Sequence, residues 1–148
     1  MQLNRTTQPA SPYARLGARL VDNGYAAIPC QPGSKIPGMC SFGDWWPLTR
    51  WDNYCDRLPT HHEIGVWERW PDAGICIALD HTIKVVDIDT DDPALREAIL
   101  SAIPQSPVAK RGRKGMSLFY RGSAAIAARS FNVPGHGRVV DLLAHGKQ

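Results

Sequence analysis

The residues with most capacity for chemistry lie in "KVVDIDTDD", residues 84–92, where an apolar run opens into Asp87, Asp89, Asp91 and Asp92. In a strand, residues two apart share a face, so Asp87 and Asp89 point the same way with Cα atoms roughly 6.5–7 Å apart. Carboxylates that close raise one another's pKa unless a cation sits between them. Hard oxygen ligands of this kind suit Mg2+ or Mn2+. A pair of such metals about 3.5–4 Å apart suits in-line phosphoryl displacement. The plain alternative is a strand end meeting solvent, and D-x-D is too short a pattern to decide between the two. For Asp91 and Asp92 the plain reading is favoured, a solvated strand end with one or the other capping the helix that follows.

A third acid, Asp141 in "RVVDLLAHG", also follows a β-branched pair and would complete a three-carboxylate site if its strand neighboured the first. "KRGRKG", residues 110–115, sets Lys110, Arg111, Arg113 and Lys114 around glycine. Glycine lets backbone N–H groups approach phosphate while the cations supply attraction; the alternative is a solvated hairpin tip. Lys35, in the turn "PGSKIPG", is a further candidate cation, or else a solvated loop lysine. No serine-histidine-acid pattern and no Rossmann or Walker glycine loop is present. "GHG" at 135–137 offers only a loop with positive-φ options.

The elements that must position these residues follow from local pattern. Ser11 and Pro12 start a helix as cap and first residue. Leu16 and Leu20 then repeat at helical spacing, and Asn23-Gly24 supplies the stop. "YAAIPC" reads as a strand. Residues 31–62 are rich in Pro, Gly and Trp with little periodicity; Trp45, Trp46 and Trp51 either pack this segment down or stack a base. "EIGVW" and "GICIAL" read as strands, and the turn "DHT" at 80–82 predicts an antiparallel hairpin joining "GICIAL" to "IKVVDID". "TDDPALREAILSAI" predicts a helix with a capping Asp and Leu95, Ala98, Ile99 and Ala102 on one side. "VAKRGRKGMSLFYRG" predicts a second hairpin with a basic tip, and "GRVVDLLAHG" a last strand. The result is an α+β domain with a mostly antiparallel sheet.

At 148 residues the chain is long enough for one domain with a real core, and its formal net charge of +3 is compatible with a polyanionic partner without demanding one. No apolar run approaches the ~18 residues of a membrane span. "MQLNRTTQPAS" lacks the apolar centre of a secretory signal, so residues 1–10 read as a polar arm, 11–148 as the domain, and the cytoplasm as its compartment. Cys30, Cys40, Cys55 and Cys76 form no C-x-x-C pair and are expected as free thiols.

Taken in order, "GYAAIPCQPGSKIPG", "IGVW", "IKVVDIDTDDP", "GRKGMSLFYRG" and "GRVVDLLAHGKQ" resemble the N-terminal primase-polymerase domain of the archaeo-eukaryotic primase superfamily. This is the bifunctional DNA primase/polymerase type found in phages, plasmids and mobile elements. The likeness covers nearly the whole chain after the arm and rests on order and spacing. It implies a primase-like catalytic core with an RRM-like sheet and packed helices. It implies Mg2+ or Mn2+ held by Asp87, Asp89 and Asp141, with nucleoside triphosphates and a single-stranded DNA template or primer-template as substrates. A helicase domain or subunit is an implied partner. Family members usually carry a phosphate-binding histidine in the strand after the glycine-rich turn; here the position falls on Ser117. Its hydroxyl can donate one hydrogen bond but carries no imidazolium charge, which leaves Lys114 or Arg113 to compensate. The family pattern also continues past the third acid, so the chain reads as a truncated form of it.

Three functions follow from these residues. The first is metal-dependent, template-directed nucleotidyl transfer, with Asp87, Asp89 and Asp141 on the metals and Lys35, Lys110, Arg111, Arg113, Lys114 and Ser117 on nucleotide or nucleic acid. The second is a degenerate remnant that binds nucleotide or single-stranded nucleic acid without polymerising. The third is a sugar-nucleotide transferase, whose D-x-D would also chelate a metal-diphosphate.

Overall fold

Ser11 accepts a hydrogen bond from the Ala14 amide at 3.1 Å and opens α1 (Pro12–Asp22), with Pro12 at the first turn as expected. The computed structural model describes residues 9–148, so most of the polar arm lies outside the described residues. The chain forms two compact units that meet in sequence at Ile77 and Ala78.

In the first unit, α1 packs on the fully buried strand β1 (Ala26–Cys30), which ladders with β4 (Gly74–Ala78). Tyr13 is completely buried; its hydroxyl donates to the Ala27 carbonyl at 2.9 Å and its ring meets Trp67 edge-on at 5.7 Å. Between these strands the Trp-rich segment forms a hairpin, β2 (Gly38–Ser41) and β3 (Asp44–Pro47), and a short 3-10 helix (Trp51–Cys55). Trp45 packs edge-on against Trp70, whereas Trp46 is 57% exposed, so packing accounts for one of these rings and not the other.

The stretch expected as the strand "EIGVW" is instead helical, α2 (His61–Trp67). Thr60 and Glu63 form a reciprocal capping box that satisfies the first-turn donors. Ile64 and Trp67, three apart, are then both buried on one side of the helix. Caps and a helical contact pair outweigh the β-branched content of a five-residue run.

The second unit is built on β5 (Ile83–Asp89), β6 (Ala109–Arg111), β7 (Gly115–Arg121), β8 (Arg129–Val133) and β9 (Gly137–Leu143). They form one antiparallel sheet in the order β6-β7-β5-β9-β8. Ile83, Val85, Ile88 and Leu118 are its buried apolar strand residues. The expected hairpin of "GICIAL" with "IKVVDID" does not form: β4 ladders with β1, and β5 with β7 and β9. The Asp80 carboxylate accepts from the amides of Thr82 and Ile83 at 2.7 and 2.8 Å, so a side chain rather than a strand ladder holds this turn. Burial alone would push that carboxyl up, but these hydrogen bonds outweigh it and leave it below its ordinary value.

α3 (Pro93–Ala102) starts at Asp92, whose carboxylate accepts from Ala94 and Leu95. The β6–β7 hairpin forms as expected around the basic tip. The strand β8, which no alternation in "RSFNV" had marked, pairs only along β9 as a sheet edge, and Gly135 and Gly137 turn the chain between them with φ of 79° and 73°. No helix among the described residues is long and apolar enough to cross a membrane. Cys30, Cys40, Cys55 and Cys76 are thiols outside any disulfide.

Candidate active site

Strand register decides which of the candidate residues meet. Asp87 on β5 stands opposite Ser117 on β7 and opposite Asp141 on β9. Ser117 is in turn opposite Lys110 on β6, and Asp141 opposite Ser130 on β8. Cross-strand partners project on the same face. One row therefore runs across the whole sheet as Lys110, Ser117, Asp87, Asp141 and Ser130. Asp89, two residues along from Asp87, lies on that face opposite Gly115. Gly115 is required there: a Cβ at that position would run into the Ile88 carbonyl of the neighbouring strand.

Within the row the contacts are specific. Ser117 donates its hydroxyl to Asp87 Oδ1 at 2.6 Å. Arg138 grips Asp141 as a fork, Nε to Oδ1 at 2.9 Å and Nη2 to Oδ2 at 3.0 Å. That guanidinium, aided by the Ser130 side chain, holds the Asp141 carboxyl below its ordinary value. Asp87 and Asp141 are half-buried and Asp89 is exposed, so the carboxylates sit at a solvent-reachable surface. Carboxylate oxygens are the ligand type of a hard divalent cation, but the ligand atoms of Asp87, Asp89 and Asp141 do not all lie within 4.8 Å of one another.

Residues 17–148, nearly all of the chain, match the family described as "Bifunctional DNA primase/polymerase, N-terminal". The chain belongs to this primase/polymerase family. A search of curated proteins returns no match.

In this primase/polymerase domain the expected cations separate. Lys110 lies in the row of the acids, whereas Arg111, opposite Met116, projects from the other face. Arg113 and Lys114 sit exposed in the tip between β6 and β7. Lys35 occupies an exposed turn of the first unit. The Ser117 hydroxyl, expected to offer its proton to phosphate, spends it on Asp87. Sequence reasoning passed over Arg138, because strand periodicity puts a residue three before Asp141 on the opposite face and gives no hint of the contact. His81 and His145, to which no role was given, stack face to face with centroids 3.8 Å apart in the second unit.

Proposed function

We propose that this primase/polymerase domain joins nucleotides in a template-directed, metal-dependent reaction on single-stranded DNA or a primer-template. The observation that carries this reading is the single cross-strand row that sets Asp87 beside both Asp141 and Ser117. Asp87, Asp89 and Asp141 are the residues that would hold Mg2+ or Mn2+. When bound, the cation neutralises triphosphate charge and favours ionisation of the attacking hydroxyl. The 3′-hydroxyl oxygen of a primer or first nucleotide would form a bond to the α-phosphorus as its proton passes to solvent and the bond to pyrophosphate breaks.

The chain's own residues contribute position and charge. Ser117 fixes the rotamer of Asp87 by holding one carboxylate oxygen, which leaves the other free to ligate. Lys110, in the same row, is placed to meet phosphate oxygens, with Lys114 four residues on in the adjoining tip. Lys35 is assigned to nucleotide or nucleic acid on its charge and turn setting alone. A cytoplasmic replicon of phage or mobile-element type, served together with a helicase, is the setting that the family's chemistry suits.

Primer extension with Mn2+ and labelled deoxynucleoside triphosphates, comparing wild type with Asp87→Asn, tests the assignment. Incorporation falls to background in the variant; undiminished incorporation overturns it. A second reading, binding without polymerisation, is favoured by one observation: Ser117 brings no positive charge and its proton is already used. Metal-dependent triphosphate binding without incorporation would select that reading.

A further inference from the structure

The opposite side of the same sheet carries the reverse of the acidic row. A cavity of about 240 Å³ opens between α3 and the β6–β7 tip, bounded by the arginines Arg96, Arg111 and Arg113 and closed on its apolar side by Leu100 and Met116. No carboxylate is among its lining residues. Arg96 reaches it from α3 with Nη2 tied to the Thr90 carbonyl at 3.0 Å. Its Nε is buried and has no hydrogen-bond partner among the described residues. A buried donor left unpaired costs free energy, and guanidiniums gathered without an acid repel one another. An anion in the cavity removes the repulsion among the guanidiniums.

We propose that this cavity is a phosphate-binding site for the sugar-phosphate backbone of single-stranded DNA, separate from the nucleotide site on the acidic face. Its size supports a phosphate group rather than a whole nucleotide, since pockets for small-molecule ligands run about 300–1,000 Å³. Arginine forks match phosphate oxygens in pairs. Register supplies the separation: Lys110 faces the carboxylates, and Arg111, one residue on, faces the cavity. The choice of DNA as the source of the phosphate rests on the primase/polymerase reading above.

The test uses the full chain and a dye-labelled oligothymidylate in EDTA, with anisotropy recorded from about 50 to 200 mM salt. The exposed double variant Arg111→Gln/Arg113→Gln and the single variant Arg96→Gln are compared with wild type, each checked for native circular dichroism. Affinity falls in both, and the slope of log K against log salt becomes shallower by about 0.7 for each arginine removed. The double variant, on the protein surface, keeps the test valid should Arg96→Gln not fold. An unchanged slope in the double variant overturns the proposal. So does a loss confined to Mn2+-dependent triphosphate binding with oligonucleotide binding intact, which would make the cavity part of the nucleotide site. Metal-dependent triphosphate binding by Asp87→Asn is measured alongside; it reports on the acidic face alone, so failure of the active-site reading is distinguished from failure of this one.

Discussion

Ser117 and Asp87 are cross-strand partners joined by a 2.6 Å hydrogen bond from hydroxyl to carboxylate. At this position the chain places a short neutral donor that addresses the acid. The role open to Ser117 is therefore to orient a ligand, and phosphate charge must be met by lysine or arginine.

Removing that hydroxyl should be felt first in metal affinity. Ser117→Ala is expected to weaken Mn2+ binding by about tenfold, the lower end for loss of a group that orients a metal ligand. Ser117→Thr, which keeps the donor, restores it. Calorimetric titration with Mn2+ in the absence of nucleotide reads the effect, and equal affinity in wild type and Ser117→Ala would remove Ser117 from the site.

Arg138 predicts an effect of opposite sign. It engages both oxygens of Asp141, so a cation arriving at Asp141 must displace it. An exposed ion pair is a weak competitor, and Arg138→Gln should tighten Mn2+ binding by about two- to fivefold. The same titration checks it; weaker binding in the variant would mean that Arg138 positions Asp141 instead of shielding it.

Gly115 is expected to tolerate no side chain. Its missing Cβ allows β7 to approach the Ile88 carbonyl, and Gly115→Ala must push the strands apart beside Asp89. A cost of about 1–3 kcal/mol is expected, as for overpacking elsewhere. Urea unfolding followed by far-ultraviolet circular dichroism is the measurement, because every tryptophan precedes Ala78 and reports on the first unit. Wild-type stability in the variant would contradict the close approach.

In the first unit, acid stability should depend on Glu63. The Arg57 fork, with donors from Thr60 and Tyr54 and against a smaller opposing effect of burial, holds its carboxyl down to about 2 from an ordinary value of 4.5. A carboxyl depressed in the folded state stabilises above its unfolded pKa and loses that stabilisation as pH falls through the folded pKa. The window is thus between 4.5 and about 2. Because the pair is partly exposed, its worth is on the order of 1 kcal/mol. Glu63→Gln should flatten tryptophan-monitored stability across that window, and an unaltered pH slope would show that the network contributes nothing.

Much of the local structure was legible from neighbouring residues. Ser11-Pro12 and Asp92-Pro93 mark helix starts because an oxygen acceptor before a proline satisfies the first turn. The shared face of Asp87 and Asp89 follows from the period of a strand, and the β6–β7 hairpin from two short runs around a glycine-bearing tip. The helix at His61–Trp67 was legible too, since Thr60-x-x-Glu63 is a capping signal, but Ile64, Val66 and Trp67, read by propensity, concealed it.

What sequence alone determined is the chemistry available: which acids share a strand face, which cations cluster at the tip, and where helices begin. Those depend on interactions spanning a few residues. Only the tertiary structure decided that Asp141 stands opposite Asp87, that Ser117 spends its proton there, that Arg138 closes on Asp141, and that Arg96 meets Arg111 across the other face. Those are matters of register between strands far apart in the chain. Shifting such a register by one residue turns every side chain to the opposite face, so it is selected by the packing of the whole sheet and not by any local pattern.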